Sequence, residues 1–186
     1  MRILFKCFLL CVLVCSCSSN NDVKKQLEKM HGSSVHIPLD SMLCWHPSDE
    51  DYSSSRADSK WTLVVYADTS DCSTCYLEHL QLWNDFVKME KDHEGIIRFL
   101  FIIEARAGEA KGLYKQMGLT NLKHSIYVDG NKSFSRNNPQ IPSSKLCHTF
   151  LLNDKNEVVL VGSPVYNEKI EAIFIRKIEE SVKSSQ

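Results

Sequence analysis

The stretch WTLVVYADTSDCSTCYLEHLQLW, residues 61–83, decides how the rest of the chain is read. Its first seven residues are a nearly continuous apolar run rich in β-branched and aromatic side chains, which suits a central strand buried on both faces. From Cys75 onward, Leu77, Leu80, Trp83, Phe86, Val87 and Met89 recur at steps of three and four. That is the period of an amphipathic helix, expected to end near Gly95. Cys72 and Cys75 fall between strand and helix, with two residues separating them. A pair so placed is a redox centre, half of a metal site, or two core residues that happen to be close.

Outward from this stretch the chain alternates. Upstream, Val35 to Leu39 is a short alternating piece and a first strand, followed by a polar, serine-rich loop over 48–60. Downstream, IIRFLFIIEA (96–105) is a second buried strand, AGEAKGLYKQMGL (107–119) a shorter helix with Gly118 as its stop, and HSIYVDG (124–130) a third. Residues 131–145 read as a polar loop with two prolines. LCHTFLLN (146–153) and EVVLVG (157–162), separated by DKN, read as a hairpin. The chain closes on an amphipathic helix with Asn167 as N-cap and Ile170, Ile173, Phe174 and Ile178 inward. Strands alternating with helices call for parallel pairing through right-handed crossovers, and the hairpin adds an antiparallel edge. The fold class is therefore α/β, a central mixed sheet flanked by helices with a C-terminal hairpin plus helix.

At 186 residues the chain accommodates one domain of ordinary size. Hydrophobic content of 43% with 24% charged residues is globular composition, and a formal charge of -1 with no basic cluster gives no reason to expect nucleic acid as partner. The first residues, MRILFKCFLLCVLVCSCSSNND, place Arg2 and Lys6 ahead of an apolar run from Phe8 to Val14, the order of a secretory signal. The run is too short for a permanent membrane-spanning helix. LVCSC resembles the lipobox of bacterial lipoproteins, with Cys17 as lipid acceptor and Cys15 as the weaker alternative because bulky Val14 precedes it. These readings divide the chain into a signal peptide (1–16), a lipidated polar tether (17–34) and a folded domain (35–186). They put the domain in the bacterial envelope, in the periplasm or at the cell surface, where disulfides persist.

In a strand-loop-helix setting Cys72 lies just before the first helical turn and Cys75 within it. Free N–H groups and the positive end of the helix dipole stabilise a thiolate there, so Cys72 is the better nucleophile and Cys75 the resolving thiol. Asp71 opposes this, since a neighbouring carboxylate raises a thiol pKa. Glu78, one turn beyond Cys75, accepts the resolving thiol's proton if partly buried, and is otherwise a surface carboxylate favoured near a helix start. His79 is solvated, because Leu77 and Leu80 take the apolar face.

VVYADTSDCSTCYLEHLQLW together with CHTFLLNDKNEVVLVG resembles the thioredoxin-like family, in particular thiol-disulfide oxidoreductases anchored in bacterial envelopes and their lipoprotein relatives. C-x-x-C-x-x-E, carried by Cys72, Cys75 and Glu78, matches that envelope group. The resemblance covers roughly residues 35–183 and implies that Cys72 and Cys75 are the redox pair, with Cys147, His148 and Thr149 on the substrate-docking loop. Two positions depart from the family. The usual Trp before the first cysteine is missing from DTSD, and His148 stands where the family has a cis-proline. A non-proline cis bond costs about 2.5–4 kcal/mol, so a trans bond is expected.

That departure leaves two further readings. Cys147 or His148 with the pair makes a sulfur and imidazole set suited to zinc, copper(I) or an iron-sulfur centre, unless Cys147 packs as a small core residue and His148 carries no ligand. A non-catalytic binding module with a structural Cys72–Cys75 bridge keeps the same fold. Cys44 is a buried thiol, a partner for Cys147 or a resolving cysteine, and His46 a loop histidine; Trp45 and Trp61 cover the core edge. The preferred expectation is thiol-disulfide exchange, without a diffusible cofactor and with no metal assigned. Its partners would be envelope proteins bearing cysteines or disulfides, and the membrane through the lipid.

Overall fold

The computed structural model describes residues 18–47, 59–70 and 73–184, and their side chains apart from those of 18–21 and 73–75. The elements are α1 (Ser18–Met30), β1 (Leu43–Trp45), β2 (Trp61–Ala67), α2 (Ser73–His79), α3 (Asn84–Asp92), β3 (Ile97–Glu104), α4 (Ala110–Gln116), β4 (Ile126–Asp129), α5 (Ser133–Asn137), β5 (Thr149–Leu152), β6 (Val158–Val161) and α6 (Glu168–Ser184). One six-stranded sheet runs in the order β1-β4-β3-β2-β5-β6. β2, β3 and β4 are parallel, while β5, β6 and β1 join antiparallel. Central parallel strands linked by helices, with a hairpin on the β2 side, make the fold thioredoxin-like.

The period of two in the strands sorts their side chains into two cores. Leu63, Val65 and Ala67 of β2, with Phe99, Phe101 and Ile103 of β3, face Leu77, Leu80, Trp83, Val87, Phe174 and Ile178 from α2, α3 and α6. Val64, Tyr66, Leu100 and Ile102 point the other way, against Met30, Val35, Phe134, Cys147, Phe150 and Val158. Burial on both faces explains why β2 and β3 read as continuous apolar runs. Trp61 and Trp45 pack against the edge of the first core as expected, and Trp61 Nε1 donates to Ser181 Oγ at 2.8 Å.

Four local expectations change. The single helix drawn from Cys75 to Gly95 is α2, a 3-10 turn over Leu80–Trp83, and α3. Leu77, Leu80, Trp83 and Phe86 are spaced by three, which three residues per turn keep in register toward the core. The first strand is Leu43–Trp45 and not 35–39. Pro38 offers no N–H for a ladder, and Asn138 instead accepts the His36 N–H (2.8 Å) and donates to the His36 carbonyl (2.7 Å). The polar loop at 131–145 contains α5, capped by buried Asp129: Oδ2 accepts the Phe134 N–H at 2.7 Å, and Oδ1 accepts the Ser133 hydroxyl at 2.9 Å. The segment read as a tether is helical at 18–30, and Met30 is fully buried in the second core.

The hairpin and the cap of the last helix follow the sequence reading; on that helix Phe174 and Ile178 are in the first core as expected, but Ile175 and Val182 pack against it in place of Ile170 and Ile173. Asn153 Oδ1 accepts the Lys155 and Glu157 N–H groups, and Asn156 takes the left-handed turn position (φ 58°). Asn167 Oδ1 accepts the N–H groups of Lys169 and Ile170, capping α6.

Candidate functional site

β2 ends at Ala67 and, after residues 68–72, α2 begins at Ser73. The backbone of Cys75 therefore lies in the first turn of the helix that leaves the central strand. Cys72, with Asp71, lies outside the described residues, as do the side chains of Ser73, Thr74 and Cys75; Cys17 and the signal segment also lie outside them. Asp68 sits at the turn, where Oδ1 accepts the Ser70 N–H at 2.8 Å as well as the Ser70 hydroxyl. Burial pushes its carboxyl up, but the Ser70 donors, with His148 and Lys145 nearby, outweigh it and hold Asp68 below the usual carboxylate range.

Across from this turn, β5 pairs antiparallel with β2, Thr149 opposite Val65, and the Tyr66 N–H donates to the His148 carbonyl at 2.8 Å. His148 thus flanks the end of β2. Among the described residues no peptide bond is cis, so the bond before His148 is trans, as expected of a non-proline residue. Its ring is 4% exposed and lies 4.8 Å from that of Tyr66. Nε2 lies 3.1 Å from the Pro142 carbonyl, which requires a hydrogen on Nε2; in the neutral ring Nδ1 is then the acceptor. Nδ1 is buried without a partner among the described residues.

Cys147 does not join the pair's surface. It is fully buried in the second core, on the sheet face opposite α2, because the 3-10 turn at Lys145–Cys147 turns its side chain inward against that core. Burial pushes its thiol pKa up. Its role in substrate binding or in a three-sulfur metal set is withdrawn on that ground. Glu78 is exposed, so it is a surface carboxylate and lacks the partial burial that proton acceptance called for; His79 is exposed as expected. Thr149 is buried on the α2 side and lines the groove there. Cys44 lies on edge strand β1, with three strands between it and β5, which excludes a bond to Cys147; both thiols are free. Burial raises the Cys44 pKa against a lowering hydrogen bond from Tyr127. His46 Nδ1 lies 3.0 Å from Ser125 Oγ in the loop after β1.

Two depressions meet at His148. A groove of about 570 Å³ on the α2 side is lined by Tyr76, Leu80, Trp83, Thr149, Gly162 and Ile170, and Leu146 and Tyr166, 66% and 65% exposed, also line it. A cavity of about 250 Å³ on the other side holds Tyr66, Asp68, Glu104, Ser135 and His148. Sequence reading missed both. The apolar Leu146 and Tyr166 in polar surroundings, and Glu104 closing an apolar strand, were the available signals.

No protein-family model matches the chain, and no curated protein matches it in sequence. Among solved structures it is similar to a thioredoxin-like protein from Porphyromonas gingivalis, at 20% identity over 70% of this chain and 80% of that one, with a TM-score of 0.46. A domain of a possible thiol-disulfide isomerase from Cytophaga hutchinsonii gives 14% identity over 76% and 97%, with a TM-score of 0.43. The bacterioferritin comigratory protein of Xanthomonas campestris gives 16% over 81% and 98%, with a TM-score of 0.45. These likenesses are loose, and the fold rests on the chain's own strand order and helix placement.

Proposed function

We propose that this thioredoxin-like domain exchanges thiols and disulfides through Cys72 and Cys75, held in the bacterial envelope by lipid on Cys17. The observation that carries the reading is the backbone of Cys75 in the first turn of α2, the helix that follows central strand β2 beside the His148–Thr149 edge and an apolar groove, with Cys72 three positions earlier in the sequence. A helix start favours the thiolate of Cys72. That thiolate attacks one sulfur of a substrate disulfide, forming a mixed disulfide and releasing the other substrate sulfur as a thiolate. Cys75 thiolate then displaces Cys72-bound substrate, leaving a Cys72–Cys75 disulfide and two reduced substrate thiols. The groove suits an apolar segment of a polypeptide substrate.

The non-catalytic module keeps one observation in its favour: the docking residue is a buried, hydrogen-bonded histidine in place of proline. Equilibration in glutathione buffers followed by thiol trapping separates the two. Exchange predicts a reversible two-electron transition, lost in Cys72→Ser, together with reduction of insulin disulfides. A pair that stays oxidised across the whole buffer range, with no insulin reduction, overturns the proposal in favour of the module.

A further inference from the structure

The cavity on the far side of His148 holds acceptors that the chain itself leaves unanswered. Glu104 ends β3 at 4% exposure, and its Oε1 is buried with no partner among the described residues. His148, also 4% exposed, has its Nδ1 buried without a partner among the described residues, and in the neutral ring, with the hydrogen on Nε2 shared with Pro142, Nδ1 is a lone-pair acceptor. Both residues line the same space. Unanswered buried acceptors are costly, so the site calls for a donor.

The surroundings narrow its chemistry. The Tyr66 hydroxyl interacts with the Glu104 carboxyl and the Ser135 hydroxyl, and Asp68 adds a second carboxylate to the lining. An anion is repelled there. The cation of the lining outside His148 is Lys132, an exposed side chain whose Nζ donates to Thr69 Oγ1 at 3.1 Å. Phe134, Ile141 and Pro142 supply apolar wall. A single water has a share of about 30 Å³ in the liquid, so a space of about 250 Å³ takes a group of several heavy atoms.

We propose that this cavity binds a primary alkylammonium group, the ammonium donating to Glu104 Oε1 and His148 Nδ1 and the alkyl stem lying along Phe134, Ile141 and Pro142. An ammonium carries three donors and no acceptor, which matches the vacant acceptors and the negative lining. The group is a lysine side chain of a polypeptide or a free small amine. The site is independent of whether the cysteine pair is redox-active.

The test is an amide-resolved NMR titration of the full-length chain with n-butylamine, with Nα-acetyl-lysine methylamide, and with tetramethylammonium as a cation lacking N–H donors. Saturable shifts confined to Glu104, Ser135, Asn138 and their neighbours are expected with at least one primary amine. Response to the lysine derivative alone assigns a polypeptide source, and response to both admits a free amine. Glu104→Gln weakens the binding at least tenfold. Lys132→Gln, at an exposed position that leaves folding unaffected, tightens it by removing the competing cation. Absence of saturation with either amine overturns the proposal and leaves the cavity to water. So does an equal response to tetramethylammonium, or binding weakened by Lys132→Gln.

Discussion

Replacing Glu90 tests how the helix behind the cysteine motif is fastened to the sheet. Glu90 is buried on α3: Oε1 accepts the Phe99 N–H at 3.2 Å, and Oε2 lies 2.7 Å from His124 Nε2. His124 is fully buried, and its Nδ1 lies 3.0 Å from the Ser125 carbonyl. A carbonyl only accepts, so Nδ1 bears a hydrogen, and one further proton is held between Nε2 and the carboxyl. Glu90→Ala strands two buried groups, the Phe99 N–H and His124 Nε2, at about 1–3 kcal/mol each. Breaking one partner of a buried pair costs about 3–5 kcal/mol, in agreement. At roughly 2–4 °C per kcal/mol for a domain of this size, melting falls by about 6–20 °C. Glu90→Gln is milder, because its amide oxygen still accepts from Phe99 and its amide nitrogen donates to neutral Nε2. Urea unfolding of wild type, Glu90→Ala, Glu90→Gln, His124→Ala and the double alanine variant gives the coupling. A Glu90→Ala cost below about 1 kcal/mol, or costs that simply add in the double variant, refutes the reasoning.

Cys147, buried and with its thiol pKa raised, should resist alkylation at pH 8 in the native protein and react on unfolding; rapid native labelling would contradict its place in the core. Burial first, then the Glu104 charge, pushes the Tyr66 phenol far above its ordinary value. Its contribution to stability is complete below the unfolded value of about 10 and is lost as pH rises beyond it. Urea midpoints should therefore fall from pH 9 to 11 more steeply in wild type than in Tyr66→Phe, and equal slopes would count against it. His148→Pro should destabilise by about 1–3 kcal/mol or more, losing the His148 N–H bond to Lys145 and the ring contact with Tyr66. Cys147, in a 3-10 turn, also resists a following proline. Unchanged stability by urea unfolding would show that the loop tolerates proline at this position.

The two buried runs at 61–67 and 97–104, the cysteine motif between them and the Asn167 cap were legible because each depends on neighbours in sequence: strand composition, helix period and a local hydrogen bond. The false strand at 35–39 was not, since Asn138, 102 positions from His36, takes its backbone groups. Nor was α5 visible, because its cap is Asp129 on the preceding strand.

The sequence by itself determined the fold class and the order of strand and helix on either side of the cysteine motif, since period and order survive without knowledge of distant partners. Only the tertiary structure decided that Cys147 packs into the second core while His148, buried beside Tyr66, borders both depressions, and that Glu104, Tyr66 and His148 line one cavity. Those outcomes depend on which residues distant in the chain share one volume. Local sequence carries no record of that volume, and packing assigns it only when the whole sheet has closed.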